Sequence, residues 1–179
     1  MRNAARLKMG YYPLPENEGV KLRSLLTYPP TASAIDPCVG QGVALHLVTS
    51  GAPVRRYGVE LDSERARIAS AAGIETIQGN TFDANARPES FFVLYLNPPY
   101  DSEIGSIANR RMEAVFLEHT YRWLAMEATL ILVIPFERLH DCSGILSSHF
   151  ASLNIQAGDY VCGTRRRHRD HPPSRAVGQ

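Results

Sequence analysis

The stretch Phe91-Phe92-Val93-Leu94-Tyr95-Leu96-Asn97-Pro98-Pro99-Tyr100 decides how the chain is read. Its first part is an unbroken apolar run rich in β-formers and predicts a buried strand. Two consecutive prolines supply no backbone N–H, so the strand ends there. Asn97, standing before a proline, is held out of the helical region. The result is a stiff turn that fixes the Asn97 amide and the Tyr100 ring in one orientation. Such a corner suits a flat molecule with an amine on its edge: the amide reads the edge and the ring covers the face. A plain strand-terminating turn explains the same four residues, so the neighbouring sequence has to decide between the two.

Outward from this strand, short apolar runs alternate with helical patterns. A helix is predicted from Glu16 to Thr27, with Val20, Leu22, Leu25 and Leu26 on its apolar face and Pro29-Pro30 behind it. Strands are predicted at Ser33–Asp36, Arg56–Glu60, Ile74–Gln78 and up to Asn97, with helices after the first two, from Gly40 to Thr49 and from Ser63 to Ala72. A long helix from Arg111 to Met126 aligns Val115, Phe116, His119, Trp123 and Met126 on one side. A fifth strand at Thr129–Ile134, a helix at Ser143–Phe150 and a sixth strand at Ile155–Val161 complete the reading. This alternation predicts a doubly wound, mostly parallel α/β sheet, in which ligands sit outside the carboxyl ends of the strands.

The chain of 179 residues fits one domain with a tail, and its 44% apolar content supports one sizeable core. The net charge of +1 is unevenly spread: residues 165–179 hold five arginines against one aspartate, and the remainder is mildly acidic. That distribution argues against a surface built throughout for nucleic acid. Cys38, Cys142 and Cys162 are far apart, without metal-ligand spacing, so neither a disulfide framework nor a metal site is expected. The basic N-terminus lacks the apolar segment of a secretion signal, and the longest apolar run is too short for a membrane. A soluble cytoplasmic protein is the expectation.

Three further strand ends carry candidate chemistry. Asp36-Pro37-Cys38-Val39-Gly40-Gln41-Gly42 follows the first strand; its glycines let backbone approach a ligand, and the carboxylate suits an ammonium group better than a phosphate. It is neither the dinucleotide-binding glycine pattern nor a P-loop. The second strand ends in Glu60-Leu61-Asp62, where an acidic side chain can accept from ribose hydroxyls, although Asp62 also suits a helix cap. After the third strand, Asn80, Thr81 and Phe82 offer a polar side chain for an adenine edge and a ring for stacking, with an ordinary turn as the alternative. His46, His119 and Trp123 read as packing residues.

Together these stretches resemble the class I S-adenosylmethionine-dependent methyltransferases, and within them the enzymes that methylate adenine N6. The resemblance covers about residues 8–135. Asp36–Gly42 is similar to their D-P-x-x-G-x-G loop, and Asn97–Tyr100 matches their [DN]-P-P-[YFW] motif without change; the 57 residues between Gly40 and Asn97 are typical of compact members. The resemblance implies a Rossmann-like seven-stranded-type sheet and S-adenosylmethionine as cofactor. It implies cofactor contacts at Tyr11, Asp36, Cys38, Gly40, Gly42, Glu60, Asn80, Thr81, Phe82 and Asn97, and catalysis by Asn97, Pro98, Pro99 and Tyr100. The substrate it implies is adenine in nucleic acid, DNA ahead of RNA. In that scheme Asn97 Oδ1 and the Pro98 carbonyl accept from the amine and Tyr100 stacks on the base.

The chain departs from that pattern in two places. Asn80 stands where Asp is usual. The C-terminus leaves no room for a large target-recognition region, and only one strand is visible where the family has a hairpin. The expected division is a methyltransferase domain at 1–162, with a cofactor-contacting segment and helix at 1–30, and a basic, disordered tail at 163–179. That tail reads either as a phosphate-binding arm or, by preference, as an altered end that costs the sheet part of its hairpin. Asp101, Glu103, Arg110 and Arg111 form a candidate loop over the substrate. The rival readings are an RNA adenine N6-methyltransferase, a protein glutamine N5-methyltransferase, and an inactive cofactor-binding module.

Overall fold

The computed structural model describes residues 13–100, 111–156 and 160–166. Tyr11, Asp101, Glu103, Arg110 and the chain from 167 onward lie outside the described residues. Five parallel strands, β1 (Ser33–Asp36), β2 (Arg55–Glu60), β3 (Glu75–Gln78), β4 (Phe91–Leu96) and β5 (Leu124–Val133), share one sheet with an antiparallel pair, β6 (Phe150–Gln156) and β7 (Tyr160–Arg165). The spatial order is β3-β2-β1-β4-β5-β7-β6. The chain therefore winds outward from β1 in one direction and from β4 in the other. The carboxyl ends of β1 to β4 gather at the reversal between them, where a ligand crevice is expected.

Strand β4 is central, and the pleat sends its residues alternately to two cores. Val93 and Tyr95 pack with Leu22, Leu45 and Val48, contributed by helices α1 (Glu16–Ser24) and α2 (Val43–Val48). Leu94 and Leu96 pack on the other face with Leu117 from α4 (Met112–Thr120) and with Cys142 and Leu146 from α5 (Leu139–His149). Helix α3 (Ser63–Ala71) buries Ala66 and Ala69. Burial on both faces is why β4 reads as a continuous apolar run instead of alternating. Helix α1 lies tightly on α2: a Cβ added at Gly19 would stand 2.8 Å from Leu47 Cβ.

Three expectations need correction. Both strands of the C-terminal antiparallel pair are present, and the strand predicted at 155–161 takes in the end of β6 and the start of β7. Residues 163–165 accordingly belong to the sheet and not to a tail. Arg165, read from sequence as part of a basic arm, is buried; its guanidinium donates to the carbonyls of Leu124 and Arg122 and lies 3.9 Å from Glu89. Those acceptors make the burial of an arginine tolerable. The helix predicted over 111–126 ends at Thr120, passes through a 3-10 turn at Tyr121–Trp123 and becomes β5 at Leu124, so Met126 is a strand residue.

Candidate active site

The ends of β1 to β4 present side chains to one cleft. Its lining includes Asp36, Glu60, Asn80, Tyr95, Asn97 and Pro99, together with Leu14 and Phe116. The loop after β1 is closed by local bonds: Cys38 N–H donates to Asp36 Oδ1 at 2.8 Å, and Val39 N–H to the Val59 carbonyl at 3.0 Å. Gly40 and Gly42 adopt φ of +56° and +88°, left-handed values that favour glycine. A Cβ on Gly42 would also fall 2.3 Å from Ile74 Cδ1. Both glycines shape the loop without lining the cleft, which takes Asp36, Pro37, Cys38 and Val39 from this stretch.

Glu60, at the end of β2, is the most heavily held side chain of the site. Its Oε2 accepts from Gly40 N–H at 2.9 Å. Its Oε1 accepts from Asp62 N–H at 2.9 Å and from Arg65 Nε and Nη2 at 3.0 and 2.8 Å. Asp62 in turn caps α3 by accepting from Arg65 N–H. Sequence reasoning passed over Arg65, which also lines the cleft; its spacing one helical turn beyond a capping Asp was the available signal. It passed over Leu61 too, an exposed leucine beside Glu60 that offers the cleft an apolar surface.

Asp36 is buried and its carboxyl is pushed up to about 8. Loss of hydration is the main cause; the Cys38 N–H opposes it and the Glu60 charge adds to it. The Cys38 thiol is raised well above its ordinary value, again chiefly by burial and then by the Asp36 and Glu60 charges. It is an inert wall, not a nucleophile.

At the end of β3, Asn80 Oδ1 accepts from Phe82 N–H at 3.1 Å and caps a short 3-10 turn. The Asn80 amide nitrogen is left as the group able to donate into the cleft. The buried Thr81 hydroxyl donates to the Pro37 carbonyl, tying this turn to the loop after β1. Phe82 departs from its expected stacking role. Its ring packs on Phe116 and His119, with centroids 4.6 and 5.4 Å away, and is absent from the cleft lining. His119 continues that stack to Trp123 and meets the Ala84 carbonyl at 3.2 Å, consistent with packing.

Across the cleft, Asn97 and Pro99 line the wall after β4, with Pro98 between them. The Tyr100 hydroxyl donates to Asn97 Oδ1 at 2.8 Å. Arg111, expected in a loop over the substrate, instead pairs through Nη2 with the fully buried Glu113 at 2.9 Å. Among the described residues no group of His, Cys, Asp and Glu could hold a metal ion, and no helix is long and apolar enough to cross a membrane.

An acidic strand end, a glycine loop and a double-proline corner around one crevice define a Rossmann-like methyltransferase fold. The chain belongs to the family described as an uncharacterised methyltransferase family (DUF6094), which matches residues 1–170. Among solved structures it is similar to a type I restriction-modification methyltransferase subunit from Streptococcus thermophilus, with TM-score 0.68 and 15% identity over 90% of this chain and 45% of that one. It is also similar to a tRNA (m1A58) methyltransferase from Aquifex aeolicus, with TM-score 0.66 and 12% identity over 89% and 72% of the two chains. A methyltransferase from Geobacter sulfurreducens gives TM-score 0.62 and 19% identity over 92% and 86%. No curated protein matches the chain.

Proposed function

We propose that this protein is an S-adenosylmethionine-dependent methyltransferase acting on the exocyclic N6 amine of adenine in nucleic acid, with DNA as the first substrate to test. The observation that carries the reading is that Asn97 and Pro99 line the same cleft as Asp36 and Glu60. The residues present fit the cofactor. Glu60 has carboxylate oxygens at the cleft to accept ribose hydroxyls, Leu61 gives an apolar surface for the adenine ring, and Asn80 has an amide donor for its edge. Asp36 is the acidic group available to an α-ammonium.

S-adenosylmethionine supplies an electrophilic methyl group on a sulfonium whose departure leaves a neutral thioether. The chain then has to orient the nucleophile. Asn97 Oδ1 and the Pro98 carbonyl accept the two amine N–H groups, drawing the nitrogen towards a pyramidal shape with its lone pair aimed at the methyl. The same oxygens stabilise the positive charge that develops on nitrogen, and the surplus proton leaves to solvent. Catalysis is thus orientation and electrostatics. Tyr100 covers the base face, a contact worth roughly 1–3 kcal/mol. A duplex substrate must first release the base from its stack.

The test is incubation with methyl-labelled S-adenosylmethionine and separate DNA, RNA and protein pools. Label in adenine N6 that is lost in Asn97→Ala is the expected result. Label on a glutamine amide, or label retained in Asn97→Ala, contradicts the reading.

A further inference from the structure

We infer that the Tyr100 hydroxyl keeps the amine-accepting oxygen of Asn97 occupied at rest, and that a substrate amine binds by displacing it. The inference rests on the amine-methyltransferase reading above and adds a resting state to it. Tyr100 Oη lies 2.8 Å from Asn97 Oδ1, the usual distance for an O–H···O bond. That oxygen is the one assigned to the incoming N–H.

A carbonyl oxygen has two lone pairs, so counting acceptor sites does not by itself force an exchange. The chain geometry does. Pro98 and Pro99 separate the partners and hold φ fixed at both positions, and with its hydroxyl on Oδ1 Tyr100 stays out of the cleft lining to which Asn97 and Pro99 belong. Tyr100 is partly buried and packs against the core cluster that includes Leu94, Leu96 and Phe116. To stack on a base the same ring must give up the amide edge to the amine and present its face. One side chain therefore has two positions, one sealing the corner and one serving it.

The resting bond has a physical purpose. The hydroxyl supplies a donor to a partly buried amide oxygen and so offsets part of the cost of taking that oxygen out of water. When an amine arrives, one neutral hydrogen bond replaces another, so the exchange itself adds little affinity. Removing the hydroxyl while keeping the ring should turn that exchange into a net gain.

The experiment has two arms. In the first, the unmodified protein carrying ¹³Cζ-tyrosine is observed by NMR. The Tyr100 resonance should shift in Asn97→Ala without ligand, and shift likewise in the native protein when an adenine-containing single-stranded oligonucleotide is added with S-adenosylhomocysteine. In the second, Tyr100→Phe should lower the Kd for that oligonucleotide by ~3- to 10-fold, the net worth of one neutral hydrogen bond. An unmoved Tyr100 resonance, or a Kd unchanged or raised in a Phe variant with native thermal unfolding, overturns the inference. If methyl label goes to a protein amide, the adenine reading falls and both arms are read with that amide substrate. If it goes to adenine while Tyr100→Phe fails to tighten binding, the resting-state inference falls alone.

Discussion

The two walls of the cleft are prepared in opposite ways. On the wall proposed for the cofactor, Glu60 is held by donors from the glycine loop, its own turn and α3, and the Thr81 hydroxyl ties the β3 turn to Pro37. Glu60 Oε2 carries only the Gly40 N–H and keeps a lone pair for an incoming hydroxyl, whereas Oε1 already accepts from three N–H groups, so one added bond leaves this wall unchanged. On the wall proposed for the target, Asn97 Oδ1 is engaged by the Tyr100 hydroxyl, a bond inferred to compete with the proposed chemistry. The cofactor wall is built in advance, and the target wall is closed on itself. A protein arranged this way should take its cofactor readily and admit the acceptor group only through a local exchange.

The largest effect is expected from Asn97→Ala, which should lower methyl transfer by about 10²–10³-fold, since it removes a pre-aimed electrostatic partner of the reacting nitrogen. Cofactor affinity measured by calorimetry should fall much less, by a few-fold at most, because Asn97 is only one of the contacts expected for the cofactor. An equal loss of cofactor binding would erase the division between the walls. Glu60→Ala should do the reverse at the binding step, weakening S-adenosylmethionine by roughly 10- to 100-fold, the worth of one or two hydrogen bonds to a charged acceptor. Unaltered affinity in that variant would move the ribose elsewhere.

A smaller effect should appear with pH. The Asp36 carboxyl, pushed up to about 8 chiefly by burial, holds its proton at pH 7 in the empty cleft. Pairing with an ammonium releases that proton, so cofactor affinity should rise by up to about tenfold per unit between pH 6 and 7.5 and level off near 8, where the α-amine begins to lose its own proton. For the ligand-free protein the linkage has the opposite sense. The native state holds the proton more tightly than the unfolded chain, so stability falls as pH rises from about 4 towards 8. Asp36→Asn should flatten both slopes, and calorimetry in buffers of different ionisation heat detects the released proton directly. The ~3- to 10-fold tightening expected of Tyr100→Phe is of similar size and probes the other wall.

The sheet and the cleft were legible where local chemistry and global position agree. The run 91–96 is apolar because β4 is buried on both faces, and the prolines at 98 and 99 stop it where the site begins. Glu60 and Asp36 could be placed by spacing because a strand end next to a glycine turn leaves them little freedom. The misreadings have physical causes as well. The hairpin was hidden by Arg165, whose charge marks a tail until the Leu124 and Arg122 carbonyls are seen to receive it. The helix over 111–126 was overextended because Trp123 and Met126 keep the helical period past a 3-10 turn that tertiary pairing with β4 imposes. Phe82 was assigned to the ligand because a ring beside Asn80 has two directions open to it, and Phe116 and His119 decide which is taken. Arg65 was passed over because its partner lies five residues back, across the cap. The bond between Tyr100 and Asn97 depends on side-chain torsions that spacing does not specify.

The most direct measurement is a crystal structure with S-adenosylhomocysteine bound. The ribose hydroxyls are expected on Glu60, the adenine between Leu61 and Asn80, the amino acid end near Asp36, and the sulfur facing Asn97 across the cleft. A cofactor bound away from Glu60, or one whose sulfur faces away from the corner at 97–100, would contradict that placement.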